Sequence, residues 1–288
     1  GLFESANVKV HLSGKVVVTT GSMPHGQGHE TTFAQVAADK LGVPIEDIQL
    51  KFGDTLGTPF GYGTYGSRSL TVGGEAIVRS TNKIVDKARR LAAHMLEVDV
   101  EDIEWSNGKA TVKGSPDQVK TIQEIALAAA VPVNLPDGME PFLDETTYYD
   151  PPNCTFPFGT HVAVVEVDTT TGNSELIRYV AVDDVGNIVN PLVVAGQLQG
   201  GIVQGLGQAM VEGAVYDDNG QLITSTLMEY AVPHADQFPM FELDHTVTPS
   251  PVNELGVKGA GEAGTIASTP AYVNAVCDAL SPLGIHHT

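Results

Sequence analysis

Residues 6–41, ANVKVHLSGKVVVTTGSMPHGQGHETTFAQVAADKL, decide how this chain is read. ANVKVHL (6–12) alternates apolar and polar side chains with the period of a strand, Gly14 marks a turn, and KVVVTT (15–20) is its hairpin partner. The loop MPHGQGHET (23–31) leads into apolar residues at helical spacing, Phe33, Val36, Ala37 and Leu41, stopped by Gly42 and Pro44. IQLKF (48–52) reads as the next strand, and a second loop, 53–69, opens a long helix over about 72–96. Its apolar stripe is Ala76, Ile77, Ile84, Val85, Ala88, Leu91, Ala92 and Met95.

The same order returns further on. Strands at 160–168 and 174–183 are joined by TTTG and run into a glycine-rich helix start near 191–213. Strand pairs followed by a loop-capped helix in both halves predict an α+β fold of two similar lobes, mixed sheet and helices. The predicted division is a first lobe at 1–135, a proline- and acid-rich connection at 136–157, and a second lobe at 158–288. Smaller features are short strands near 103–113, a capping box at Thr121–Glu124 ahead of IQEIALAAA, and a hairpin turn at DDNG (217–220). The first residue is expected close to a sheet, and the last, GIHHT, follow directly on a helix; the chain is read as a fragment or a separately encoded half.

At 288 residues and 42% hydrophobic content the chain can bury a sizeable core. A net charge of −20, from 35 acidic and 15 basic residues, argues against nucleic acid or an anionic membrane surface as partner, because both would be repelled. No apolar run approaches the about 18 residues of a spanning helix, and the N-terminus lacks a leader pattern, so a cytoplasmic, non-membrane protein is expected. Cys154 and Cys277 are far apart and indicate neither disulfide framework nor zinc site; both are expected to be buried as small apolar residues.

Candidate chemistry lies in glycine-rich loops. In GVKGAGEAGT (256–265) a single carboxylate, Glu262, sits among glycine, alanine and threonine, where a freely bending backbone lets an acid approach a bound group closely. A plain turn is the simpler reading. Lys258, four residues earlier, either tunes that charge or makes a salt bridge elsewhere. Gly26-Gln27-Gly28 stands between a strand and a helix, where unpaired N–H groups suit a phosphate or other anion; its spacing is neither a Walker loop nor a dinucleotide fingerprint. His25 and His29 are four apart, but the intervening glycines argue against the continuous helix that a zinc pair needs. GYGTYGSRS (61–69) offers Arg68, two serine hydroxyls and glycine amides, a cradle for pyrophosphate, against the alternative of a surface arginine paired with Glu75. GQLQGGIVQGLG (196–207) places Gln197, Gln199 and Gln204 among glycines that also suit close helix packing; glutamine both donates and accepts, as a heterocycle with adjacent N–H and carbonyl groups requires.

These four segments in this order, with AVDDVGNIVNP (181–191), HTVTPSP (245–251) and STPAYVNAVCDAL (268–280), resemble the molybdenum hydroxylases of the xanthine oxidase family. The resemblance is to the C-terminal part of the large, molybdopterin-binding subunit, in the aerobic carbon monoxide dehydrogenase group. It implies molybdopterin cytosine dinucleotide with molybdenum as cofactor, the metal held by the pterin dithiolene and by no protein side chain. It implies Glu262 as the base, and cofactor contacts from Gln27, Gly28, His29, Gly66, Ser67, Arg68, Ser69, Gln197, Lys258, Gly259 and Gly261, with His29 a supporting donor rather than a metal ligand. The reaction implied is oxidative hydroxylation with a water-derived oxygen on a small-molecule substrate. FAD and 2Fe-2S clusters would sit on partner subunits, and the missing N-terminal half of the large subunit would complete an oligomeric complex. Two other readings stay open: an aldehyde or N-heterocycle dehydrogenase of the same family, and a non-catalytic binding or assembly module that keeps the fold.

Overall fold

Val8 and Val10 alternate with polar neighbours on the first strand, and Val16 and Val18 of the adjacent strand are buried with them in the first sheet. The computed structural model describes residues 2–287; the expectation for the first residue lies outside them. Strands β1 (Glu4–Val10) and β2 (Val16–Thr20) form the antiparallel hairpin, with Val8 opposite Val18. Helix α1 (His29–Leu41) follows, then β3 (Ile48–Lys51), which lies parallel to β2. A π-helical turn at Ser69–Gly74 runs into α2 (Glu75–Leu96), which packs on the sheet. Phe33, Val36, Ala37 and Leu41 of α1 and Ala76, Ile77, Ile84, Ala88, Leu91 and Ala92 of α2 are buried, as their spacing requires.

Helix α1 stops because Gly42 takes the left-handed conformation, φ 71°, and returns its N–H to the Ala38 carbonyl. A side chain at Gly42 would also meet the backbone of Gly108 at 2.6 Å, so glycine is needed twice over. β4 (Ile103–Ser106), β5 (Lys109–Val112) and β6 (Ser115–Thr121) form a small antiparallel sheet, and Trp105 donates from Nε1 to the Leu41 carbonyl at 3.0 Å. Helix α3 (Ile122–Ala129) carries the expected capping box: Thr121 N–H donates to the Glu124 carboxylate and Glu124 N–H to the Thr121 hydroxyl.

The stretch 136–157 is not all connection. It contains β7 (Leu143–Tyr149), which pairs with β1 and completes the sheet order β3-β2-β1-β7. Leu143, Thr147 and Tyr149 are buried, so a strand was hidden behind proline and acidic flanks.

The chain divides into two compact units. The first runs to Cys154 and also takes in Pro251–Leu255; the second comprises Thr155–Ser250 and the residues from Gly256 onward. Pro251–Leu255 are held by Tyr149 OH donating to the Val252 carbonyl, by Glu254 N–H donating to Glu75, and by a Lys40–Glu254 ion pair.

In the second unit β8 (Phe158–Val167) and β9 (Ser174–Asp184) form the antiparallel hairpin, α4 (Pro191–Met210) follows, β10 (Glu242–Thr246) lies parallel to β9, and α5 (Ala263–Leu280) closes the order. Hairpin, helix, parallel strand, helix is therefore common to both units, and the sheet orders β3-β2-β1 and β10-β9-β8 correspond. Leu176, Tyr179, Ala181, Ile202, Leu206 and Tyr272 form the core. DDNG makes a tight turn closed by a single Tyr216–Leu222 bridge rather than by two strands. Cys154 is exposed and Cys277 half-buried, contrary to the expectation for both. Among the described residues no helix is long and apolar enough to cross a membrane.

Candidate functional site

Three of the four glycine-rich segments fall at helix heads, and the fourth, 196–207, lies within α4. The β2–α1 loop is the first. Gly26 and Gly28 are both left-handed, φ 95° and 78°, and no atom lies within 4 Å of where a side chain on Gly26 would begin. Gln27 accepts the His25 N–H through its side-chain oxygen, and Gly28 is the N-cap of α1. His29, the first helical residue, is buried and stacked on Phe33 at 4.8 Å between ring centres. Burial, aided by the charge of His25, lowers its pKa to about 4, so the imidazole is neutral near neutral pH. His29 Nδ1, Ser22 Oγ and Thr32 Oγ1 are buried without a hydrogen-bond partner. Buried polar atoms are rarely left so, and a bound molecule at a helix head is one way to satisfy them.

The loop before α2 holds the second set. Gly63 and Gly66 are left-handed with open space around them, and Ser67 is left-handed too, φ 55°. Ser69 donates its hydroxyl to Thr64 Oγ1 at 2.8 Å. Arg68 differs from its expected role. Its guanidinium is buried and directed inward, Nη1 to Glu4 Oε2 at 3.1 Å and to the Gly63 carbonyl at 2.6 Å, Nη2 to the carbonyls of Leu2 at 2.6 Å and Phe3 at 2.8 Å. A fork already occupied by one carboxylate and three carbonyls does not grip a phosphate. Nor is Glu75 its partner; Glu75 pairs with Arg79. Glu4, 0% exposed, was not foreseen as a partner. Side chains at Gly21 and Gly61 would start 2.3 Å and 1.6 Å from its Oε1, so those glycines make room for the carboxylate.

In the second unit α4 begins at Asn190, whose side chain accepts from Val193 N–H, with Pro191 at the first helical position. Gln197 is half-buried in the second turn. The helix glycines separate by face. Gly201 and Gly205 lie against α5, where Thr265 and Thr269 donate to their carbonyls at 2.6 and 2.8 Å, whereas Gly196 and Gly200 have nothing within 4 Å. Close packing thus accounts for Gly201 and Gly205 and, against Pro233, for Gly207; it leaves Gly196 and Gly200 on an open face with Gln197.

Glu262 is the N-cap residue of α5 and is exposed, with its carbonyl accepting from Thr265 and Ile266. Gly259 ahead of it is buried and Gly261 exposed. Lys258 is buried and donates to Asp184 Oδ1 at 2.8 Å, with its Nζ 4.5 Å from the centre of the Phe158 ring. Of the two roles open to it, the salt bridge elsewhere is the observed one, and the ammonium is committed to Asp184 rather than offered to a ligand. Asp184 itself was not foreseen. Burial alone would raise its pKa; hydrogen bonds from Lys258, Thr248, the Gly186 N–H and Thr246 outweigh that and hold it at about 2. Buried carboxylates of this kind carry little sequence signal, because their partners are contributed from residues 62–74 positions away.

Among the described residues no group of three or more His, Cys, Asp or Glu is placed to hold a metal ion. What the geometry offers is glycine-opened loops, helix-head N–H groups and buried unpaired donors and acceptors, suited to an extended polar molecule. The class is set by comparison: residues 2–239 match the family described as the molybdopterin cofactor-binding domain, and the chain belongs to it. Its relatives are more particular. It is 43% identical over 287 residues to the carbon monoxide dehydrogenase large chain of Hydrogenophaga pseudoflava, covering 100% of this chain and 36% of that one. It is 40% identical over 282 residues to the nicotine 6-hydroxylase large subunit of Paenarthrobacter nicotinovorans, covering 98% and 35%. The crystal structure of the Cu,Mo-CO dehydrogenase superposes with a TM-score of 0.94 at 41% identity, over 100% of this chain and 36% of that chain. The chain thus spans about 36% of the length of these relatives.

Proposed function

We propose that this chain is the cofactor-binding part of a carbon monoxide dehydrogenase-like molybdenum hydroxylase and that the cofactor is the cytosine dinucleotide form of molybdopterin. The observation that carries the reading is the head of α1, where His29 Nδ1, Ser22 Oγ and Thr32 Oγ1 are buried without partners beside the open loop at Gly26. Neutral His29 has one donor and one acceptor nitrogen and Gln27 adds an amide group, which suit a ring with adjacent N–H and carbonyl functions; Gln197, in the second unit, carries an amide of the same kind. Gly28 lends the helix-head N–H groups. The backbone amides of Gly66, Ser67 and Ser69 would hold phosphate oxygens, with Arg68 shaping that loop from within rather than binding. Gly259 and Gly261 let the backbone approach the ring system, and Lys258 acts on it only through the position of that backbone.

When bound, the group supplies a molybdenum centre that accepts two electrons from the substrate. Glu262 takes the proton released as a water-derived oxygen is transferred to the substrate carbon, a role that contributes typically about 10²–10⁴ in rate. The balance is substrate plus water giving oxygenated product, two protons and two electrons. The electrons would leave through iron–sulfur and FAD subunits of an oligomeric cytoplasmic complex that also includes the remainder of the large subunit. Carbon monoxide is the favoured substrate over a heterocycle by the 43% against 40% identity, a small margin.

The test is chemical. Protein purified in its assembled form should release cytidine monophosphate and molybdenum in about equal amounts on acid treatment, one of each per chain. Protein without pterin, or with another nucleotide, would overturn the reading.

A further inference from the structure

Asp184 and Lys258 are both buried, and the loop between Lys258 and α5 is short. The backbone before it is stitched to the end of β9: Lys258 N–H donates to the Val185 carbonyl at 2.8 Å, Asn187 and Ser250 N–H donate to the Gly256 carbonyl at 3.0 and 3.1 Å, and Gly186 bridges Val257. A side chain at Gly186 would start 2.3 Å from the Gly256 carbonyl, so this crossing requires glycine. On the far side, α5 is fixed to α4 through Thr265 and Thr269, and a side chain on Gly264 would start 2.4 Å from the Leu198 carbonyl. Between the two anchors stand only Gly259, Ala260, Gly261 and Glu262.

We propose that the Asp184–Lys258 pair is a positioning device that fixes the register of residues 256–262 and thereby the place of the Glu262 carboxylate. Two apolar residues would hold a plain structural contact at least as well, because burying a charge pair costs desolvation that its attraction roughly offsets. An ion pair adds direction. Lys258 Nζ meets Asp184 in one geometry, and Asp184 is itself fixed by Thr246 Oγ1 at 3.0 Å and Gly186 N–H at 3.1 Å. The first unit repeats the device at the corresponding loop, between its parallel strand and second helix, where Arg68 is buried against Glu4. The inference rests on the reading of Glu262 as the base.

The experiment uses the double variant Asp184→Leu/Lys258→Met, which leaves no buried charge unpaired, with Asp184→Asn as a second variant and Lys258→Arg as the conservative one. Amide exchange in the full chain reads the loop directly, without cofactor. In the double variant and in Asp184→Asn, exchange at Lys258, Asn187 and Ser250 should speed up by about tenfold or more while β8 and α5 keep their protection. In the assembled enzyme carrying either variant kcat should fall by at least about tenfold, with KM and molybdenum content held. Lys258→Arg should recover most of both. Unchanged exchange, a rise spread evenly over β8, β9 and α5, or a loosened loop with unaltered kcat would each overturn the proposal. A Glu262→Gln enzyme with normal turnover would instead sink the base reading, and the exchange result would remain as a separate fact.

Discussion

Arg68 and Glu4 are buried together, and removing one strands the other. Arg68→Ala should therefore destabilise the first unit by about 3–5 kcal/mol, the usual cost of leaving one member of a buried pair without its partner. Urea unfolding checks this; a loss below about 1 kcal/mol would fit an exposed pair and contradict the burial. His29 makes a pH-dependent contribution. Its pKa in the folded chain is lowered to about 4 from 6.5, so the unfolded chain binds more protons between those values, and this group's part of the stability is full above about 6.5 and is lost as pH falls toward 4. His29→Gln should flatten that part of the curve. Thermal melts of both proteins from pH 4 to 7 should converge toward the acid end; parallel curves would mean that His29 takes up its proton in the fold as it does in the unfolded chain. Residue chemistry of this kind was only half legible beforehand. The glycine-rich segments holding Gln27, Arg68, Gln197 and Glu262 stood out by composition, but the inward turn of Arg68 and Lys258 depends on Glu4 and Asp184, which no local pattern ties to them.

Helix α4 shows what composition conceals within one element. Its glycines look alike in GQLQGGIVQGLG, yet a side chain on Gly205 would start 2.0 Å from Ser268 Oγ, while one on Gly200 meets nothing. Gly205→Ala should cost about 1–3 kcal/mol by overpacking the α4–α5 contact. Gly200→Ala should stabilise the helix by up to about 1 kcal/mol, since alanine loses less backbone freedom there. Denaturant titrations of the two variants should move in opposite directions, and a shift of both the same way would refute the division into faces. Elements with strong periodicity, the first hairpin, α1 and α2, were readable because one face of each is buried and the other is not. β7 was not, because its register is set by distant β1 and its flanks are proline and acid. The cysteines were misjudged for a related reason: residue type sets only an average tendency to burial.

At the scale of the molecule, two units of the same order, each with glycine-opened helix heads, belong to a family whose members bind molybdopterin. Leu227, Met228 and Met240 are exposed at 83%, 91% and 87%. The 288-residue chain alone is expected to retain little molybdopterin and show no dye-linked turnover; stoichiometric molybdenum with activity in that chain by itself would overturn this. The most direct measurement concerns the proposed base. In the assembled, molybdenum-loaded enzyme, Glu262→Gln keeps the shape of the side chain and removes its capacity to take a proton, so turnover should fall by at least about 10²-fold with molybdenum and nucleotide content unchanged. Near-normal turnover at full cofactor loading would contradict the account.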